Sequence, residues 1–287
     1  AQELLIQGFS DNELKDVVDE LYVDDAVDIV EEMPANVVKR ILKSADPETR
    51  KMINEILKYP DDSAGSIMTT EYVSLRPDMT AEEAIKRIRR TGVDKETIYN
   101  CYVTGNDRKL LGTVSIRTLL LSDDDDVISD IMETDVISAN TLEDQESVAQ
   151  TLAKYDFVAL PVVDQENRLV GIVTIDDAID VLQEETTEDF EKLAGMLPSD
   201  KPYLRTGVFE TWKSRFPWLL ILMLSATLTS MVLTGYENSL AACSALIAFI
   251  PMLTGTGGNS GTQASVAVIR GLSLGDVECS DALRVIW

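Results

Sequence analysis

Histidine is absent from all 287 residues, and that gap closes several chemistries. Ser-His-Asp triads, histidine-ligated metal catalysis and imidazole proton relays each need a side chain that is missing here. Cysteine is nearly as sparse. Cys101, Cys243 and Cys279 lie far apart with no Cys-x-x-Cys spacing, which argues against a zinc site and a disulfide framework and fits a reducing compartment. No cleavable signal peptide is visible, because Ala1–Leu21 is polar and lacks an apolar core. Bases are scarce: 25 Lys+Arg face 50 Asp+Glu, for a net charge of −25. So acidic a chain is a poor partner for nucleic acid or anionic headgroups. Cations, basic proteins, or another copy of the chain with ions between are its natural partners.

The charge is unevenly placed. The first 212 residues hold 46 of the acids and 21 of the bases, which is the whole net charge; the remainder is apolar and nearly neutral. Phe216–Tyr236 runs 21 residues without a charge, enough to cross ~30 Å of hydrocarbon. Lys213 and Arg215 precede it, which puts its N-terminal side in the cytoplasm. Ser239–Ile269 is a second uncharged stretch, closed by Arg270, and reads as a returning span. Position 1 is Ala rather than Met, so a fragment of a longer protein is expected.

Within the acidic part, Asp11–Lys58 reads as short amphipathic helices. Leu14, Val17, Val18 and Leu21 share one face, and breaks fall at Met33-Pro34 and Ala45-Asp46-Pro47. Helices this short need stacked neighbours for stability. A duplication follows. Ser66-Ile-Met-Thr-Thr recurs as Asp130-Ile-Met-Glu-Thr, and the 17 residues from Tyr99 align without gaps on those from Val158. Each copy predicts a short strand, a helix (Ala81–Arg90; Leu142–Tyr155), a two-stranded hairpin and a closing helix. An acidic helix is expected from Asp176 to about Leu193, with Gly195, Pro198 and Pro202 marking a connection after it.

Three constellations bear on chemistry. Asp177, Asp180, Glu184 and Glu188 form one helical stripe of like charge, and Glu185, Glu188 and Asp189 a second group. Such a stripe is self-repelling unless cations sit beside it. A loose site for hydrated Mg²⁺ and a solvated helix face both fit. The second span carries Ile250-Pro-Met-Leu-Thr-Gly-Thr-Gly-Gly-Asn-Ser-Gly-Thr-Gln263. Proline and glycine are expected to loosen this helix, and its neutral oxygens suit a hard, partly hydrated cation. Small-residue helix packing is the competing reading, but packing needs no Asn or Gln at mid-membrane. Asp123–Asp126 reads as an exposed loop and helix start.

The βαββα order, opening on Ile-Met and closing on Gly-h-h-Thr (h, an apolar residue), resembles a pair of CBS domains. Gly171-Ile-Val-Thr-Ile-Asp-Asp177 matches the Gly-h-h-Thr-x-x-Asp pattern with which many CBS pairs hold adenosine ribose and phosphate. The resemblance makes Thr174 and Asp177 nucleotide candidates, a structural role being equally open. The first copy, Gly112–Thr118, lacks the aspartate. With Tyr59-Pro-Asp-Asp-Ser-Ala-Gly-Ser-Ile-Met68 and Gly255-Thr-Gly-Gly-Asn-Ser-Gly-Thr-Gln263, the whole chain resembles the MgtE family of magnesium transporters.

That resemblance implies a multidomain fold. An all-α superhelical N-terminal domain (1–58) precedes an α/β tandem CBS pair (59–127 and 128–183). A connecting plug helix (184–212) then leads to an incomplete α-helical transmembrane domain (213–287) that lacks three of the family's five membrane helices. It implies a Mg²⁺ channel or transporter, not an enzyme, working as a multi-pass homodimer in the bacterial inner membrane with residues 1–212 cytoplasmic. Cytosolic Mg²⁺ would bind acidic clusters between the N-terminal domain, CBS pair and plug helix, and close the pore. The implied sensor acids are Asp144, Glu146, Asp156, Asp177, Asp180, Glu185, Glu188 and Asp189, joined by Asp24, Asp25 or Asp28. The implied pore residues are Pro251, Gly255, Asn259 and Gln263, with Thr262 standing where the family often has Asn. The alternative is a CBS-based adenine-nucleotide sensor gating a cation transporter, with ATP as the ligand.

Overall fold

The computed structural model describes residues 6, 8–199, 206–242, 245–277 and 279–286. The chain divides into two compact units, residues 1–182 and 183–287. Pro202 and Cys243 lie outside the described residues, as does the side chain of Cys279; Cys101 is a buried free thiol.

The first unit begins with four ten-residue helices, α1 (Asp11–Glu20), α2 (Val23–Glu32), α3 (Ala35–Ser44) and α4 (Pro47–Ile56). Two residues separate each from the next, and both are extended. Capping or breaking residues precede three of the four helices. Ser10 caps α1 in a reciprocal box with Glu13, Pro34 precedes α3, and Asp46 caps α4 ahead of Pro47. Alternate helices share cores: Leu14 and Val18 of α1 meet Val37 and Ile41 of α3, while Val23 and Val27 of α2 meet Ile53 and Ile56 of α4. The apolar face of α1 is narrower than its periodicity suggests, because Val17 is exposed.

The duplicated region forms two three-stranded sheets of like topology. In the first, β1 (Ser74–Leu75) pairs parallel with β2 (Asn100–Thr104), which pairs antiparallel with β3 (Leu110–Ser115). In the second, β4 (Ala139–Asn140), β5 (Ala159–Val163) and β6 (Leu169–Thr174) repeat the pattern, with the register shift at the equivalent place. Helix α5 (Ala81–Thr91) crosses from β1 to β2, and α6 (Ile116–Leu121) and the short α7 (Ile128–Ile131) follow β3. Helix α8 (Gln145–Tyr155) crosses from β4 to β5. It starts later than the sequence suggests, since Asp144 is its N-cap and Leu142 is exposed. Asp123–Asp126 is a turn rather than a helix start. Its carbonyls at Asp126 and Asp124 accept the N–H groups of Ala81 and Glu82, completing the first turn of α5.

The Ile-Met motifs and the Gly-h-h-Thr motifs recur because the copies exchange them. Thr69, after Met68, pairs with Ile172 of the second sheet; Glu133, after Met132, pairs with Thr113 of the first. Each methionine lies over the other copy's glycine. A Cβ on Gly171 would stand 2.7 Å from the Met68 sulfur and the Thr69 carbonyl oxygen, and one on Gly112 would stand 2.7 Å from the Glu133 carbonyl oxygen. Gly171→Ala is therefore expected to destabilise the first unit by about 1–3 kcal/mol, measured by denaturant unfolding of the soluble part. A neutral result would mean that the exchanged segment can shift freely.

Helix α9 (Ile175–Leu193) follows β6 without a break. The second unit also contains α10 (Val208–Gly235), α11 (Glu237–Ala242), α12 (Ala245–Ser273) and α13 (Ala282–Ile286). Among the described residues one helix, α10, is long and apolar enough to cross a membrane. The 29 residues of α12 match it in length, with Thr, Gly, Asn, Ser and Gln diluting the apolar character of its middle.

Candidate cation site

Tyr22, ahead of α2, offers no side-chain cap, so the first N–H of the helix takes its acceptor from elsewhere. Val23 N–H donates to Glu71 Oε2 at 3.1 Å, which ties the start of α2 to the segment leading into β1. Asp24 and Asp25 occupy the first turn of α2, where the helix dipole favours negative charge. Asp24 is 7% exposed, and its Oδ1 accepts the Asp25 N–H at 3.0 Å. The first turn of α9 supplies Asp176 and Asp177 in the same way, and Thr174 Oγ1 donates to Asp177 Oδ2 at 2.6 Å. Glu96, just before β2, is held by its N–H donating to the Glu71 carbonyl at 2.9 Å. Its Oε2 is buried without a hydrogen-bond partner.

These acids form one electrostatic group. Burial pushes Asp24 up to about 6, with Asp25 and Glu71 adding to the rise. Burial also raises Asp177 to about 7 against the Thr174 hydrogen bond, helped by Asp24, Asp176 and Asp25. Glu96 rises to about 8 through burial and then through Asp24, Asp176, Asp177 and Asp25. Glu71 is raised by burial, while Val23 N–H and Lys95 oppose the rise. Among the described residues no three Asp, Glu or Cys side chains are arranged to hold a metal ion. The arrangement concentrates charge without a finished coordination shell, which suits a cation that keeps much of its water. The buried, unpartnered Glu96 Oε2 is the atom such an ion would satisfy.

Of the acids expected from sequence, Asp24, Asp25 and Asp177 come together here; Asp28 and Asp180 are exposed. Asp144 caps α8 by accepting from the N–H groups of Glu146 and Ser147, and Glu146 accepts from Gln150. Asp156 ends that helix in the left-handed conformation, φ 54°. The two ends are ~16 Å apart along the axis, so one ion cannot touch both within a single chain. Farther along α9, Glu188 pairs with Lys192 at 2.7 Å, and Glu185 and Asp189 also act on that lysine. Glu71 and Glu96 were missed in the sequence. Glu71 had a signal, since an acid follows the Ile-Met motif in both copies (Glu71, Asp135). Glu96, in an irregular segment after a 3₁₀ turn, had none.

On α12, Pro251, Gly255, Asn259 and Gln263 fall at successive four-residue intervals, so they share one stripe. The helix is continuous through them, contrary to the loosening expected from its proline and glycines. Proline removes a single N–H, and Thr254, Thr256 and Thr262 return their hydroxyls to carbonyls one turn back. Cβ atoms built on Gly255, Gly257, Gly258 and Gly261 would meet nothing within 4 Å, so no described residue packs there.

Comparison with known proteins follows the same division. Residues 1–62 match the family described as the MgtE intracellular N domain, and residues 64–124 and 128–184 match the CBS domain. The magnesium transporter MgtE of Thermus thermophilus is 42% identical over 261 residues, covering 91% of this chain and 58% of that protein. MgtE of Bacillus subtilis is 37% identical over 265 residues, covering 92% and 58%. The chain thus spans little more than half the length of either relative. Among solved structures, the soluble part of a magnesium transporter superposes with a TM-score of 0.62 at 38% identity, covering 64% of this chain and 72% of the other. The cytosolic domain of the Mg²⁺ channel MgtE in complex with ATP gives 0.57 at 38% identity, covering 62% and 78%.

Proposed function

Because the chain belongs to the MgtE family of magnesium transporters, we propose that it is the sensing part and first membrane segment of a Mg²⁺ channel or transporter that cytosolic Mg²⁺ closes. The observation that carries this is the group formed by Asp24, Asp25, Asp176, Asp177 and Glu96. It joins the N-terminal helices to the CBS pair, and in it burial and the neighbouring carboxylates raise the pKa values of Asp24, Asp177 and Glu96. Without cations these charges repel and the two parts separate. Mg²⁺ between them removes the repulsion and holds them together.

The protein acts in this reading as a homodimer in the cell membrane, with residues 1–212 cytoplasmic and α10 crossing the bilayer. The stripe Pro251, Gly255, Asn259 and Gln263 faces the ion path. Asp144, Glu146, Asp156, Asp180, Glu185, Glu188 and Asp189 supply further Mg²⁺ contacts. The two ends of α8 serve separate ions, and several weak sites acting together give a graded response.

A related cytosolic domain in complex with ATP supports a second ligand, and we extend ATP binding to this CBS pair. At Thr174–Asp177 the surrounding carboxylates disfavour bare phosphates, so a nucleotide there would present its ribose hydroxyls to Asp177.

Limited proteolysis of the soluble part (about 1–205), with Mg²⁺ and ATP titrated separately, tests the proposal. Protection by millimolar Mg²⁺ without nucleotide is expected, and protection by ATP with none by Mg²⁺ would overturn it. The ion path is tested apart from the sensor. Asn259→Ala is expected to reduce Mg²⁺ uptake by the whole protein about tenfold or more while leaving cytosolic compaction unchanged. Normal uptake would remove Asn259 from the path.

A further inference from the structure

A short segment joins the N-terminal helices to the CBS pair, and its packing divides at one residue. Leu57, just after α4, packs against both cores of the N-terminal helices. Tyr59 packs instead against the core of the second copy, to which Ala64 and Met68 belong. Lys58, between them, is exposed. A Cβ on Gly65 would stand 2.4 Å from the Tyr59 ring and 2.9 Å from the Thr141 carbonyl oxygen. Glycine is therefore what lets the ring seat there.

The chain after Tyr59 is strapped to the second copy through its backbone. Ala64 N–H donates to the Glu143 carbonyl at 2.7 Å, Gly65 N–H to the Thr141 carbonyl at 3.0 Å, and Gln145 N–H to the Asp62 carbonyl at 2.9 Å. Ser63 Oγ donates to the Pro60 carbonyl at 2.6 Å, which closes a turn between the ring and the strap. Farther along, the N-terminal helices meet the CBS pair through single side-chain bonds. Val23 N–H donates to Glu71 Oε2 at 3.1 Å, and Thr70 Oγ1 to Met52 Sδ at 3.3 Å, a thioether being a weak acceptor. Repulsion among the acids beside Val23 acts on these bonds and not on the strap.

We propose that Lys58 is the pivot about which the N-terminal helices swing when Mg²⁺ leaves, and that Tyr59 is the positioning residue that fixes it, seated over Gly65 in the closed and open states alike. The inference rests on the proposed Mg²⁺-controlled separation and locates its moving bond. Lys58 stands at the end of an element, where hinge rotation is commonly absorbed. Rotation there carries the Ile56 carbonyl away from the Tyr59 N–H, 2.9 Å from it in the closed state, and leaves the ring in place. A link of one residue also keeps the acids of α2 close to those of α9 in the open state. Freeing Tyr59 lengthens the link to residues 58–61. Effective concentration falls as roughly the −3/2 power of length, so closing becomes about eightfold less favourable.

The test reads amide exchange of the whole protein residue by residue, by mass spectrometry with electron-transfer fragmentation, in Mg²⁺ and in chelator. Chelation is expected to speed exchange at Val23 and Tyr59 by about tenfold or more, while Ala64, Gly65 and Gln145 keep their protection. Tyr59→Ala is expected to raise the Mg²⁺ midpoint for Val23 protection about eightfold if one ion closes the joint and about threefold if two do. Tyr59→Phe keeps the ring and should match wild type. A ring that only supported the core would lower Tm and leave the midpoint where it is. Should Tyr59→Ala fail to fold, a Gly-Ser-Gly insertion after Lys58 lengthens the link equally with Tyr59 seated, and the same rise is expected. Exposure of Ala64, Gly65 and Gln145 together with Val23 overturns this inference alone, as does a midpoint unmoved by the substitution or, in its place, by the insertion. Val23 protection that does not depend on Mg²⁺ overturns the sensing reading and the inference with it.

Discussion

Exchanging Asp24 and Asp177 together for asparagine is expected to protect the N-terminal helices from protease in the complete absence of Mg²⁺, to the degree that wild type reaches only with millimolar ion. Both amides keep the local hydrogen bonds. Asparagine at 24 still accepts the Asp25 N–H, and asparagine at 177 still accepts the Thr174 hydroxyl. What disappears is two buried negative charges that face Glu96 and each other. The repulsion that opens the wild type is gone, and so are two of the oxygens that would hold the ion. The residual Mg²⁺ response should therefore need more than about tenfold higher concentration. Alanine at the same positions is the contrasting control. It removes the charges but leaves the Asp25 N–H and the Thr174 hydroxyl without these partners, so destabilisation is expected to offset the gain. An asparagine variant that still required the wild-type Mg²⁺ concentration for protection would show that this group does not sense the ion.

Much of this arrangement is legible in the sequence, and the part that is not has identifiable physical causes. The helices of the N-terminal repeat announce themselves through Pro34, Pro47 and the apolar spacing, because breaks and amphipathicity are local properties. The duplicated sheets show as a repeated motif order for the same reason. That each Ile-Met serves the other copy's glycine does not show, since a swap between equal copies leaves the order of motifs unchanged. Which of Asp24, Asp25 and Asp28 turns inward depends on the register of α2, set by the packing of Val23, Ala26 and Val27 on α4 and joined by Glu71 accepting the Val23 N–H from a segment 48 residues away. Glu96 contributes through tertiary burial alone, and no periodicity marks it. On α12 the error runs the other way. Proline and four glycines suggested a loosened backbone, yet the helix runs through, because Pro251 removes only one N–H and each glycine keeps its own.

Stability of the soluble part in the presence of a chelator is expected to peak near pH 5 and to fall as pH rises to about 8. The sign follows from proton binding. Asp24, Asp177 and Glu96 titrate in the folded protein at about 6, about 7 and about 8, above their ordinary values of 3.8, 3.8 and 4.5. Between those two sets of values the folded state binds more protons than the unfolded state, so each step upward in pH favours unfolding. The contribution is fully present below about pH 4 and is lost once Glu96 ionises. Groups shifted the other way set the acid limb. The carboxylates of Glu13, Asp46 and Asp164 are held low by hydrogen bonds from Ser10, from Thr49 and Glu48, and from Arg168 and Glu166. Their stabilisation is present above the unfolded value and is lost as pH falls through their folded pKa. Mg²⁺ acts on the alkaline limb alone, because it takes the place of the protons. Thermal unfolding scans at pH 5, 6, 7 and 8 should therefore show a Mg²⁺-induced rise in Tm that is small at pH 5 and large at pH 8. Adding Mg²⁺ at pH 6.5 in weak buffer should release protons. The Asp24→Asn, Asp177→Asn variant should flatten the alkaline limb and release fewer protons. A Tm that rose from pH 5 to 8 without Mg²⁺ would mean that these carboxylates are already ionised and paired in the folded protein, and the proposed sensing force would have no source there.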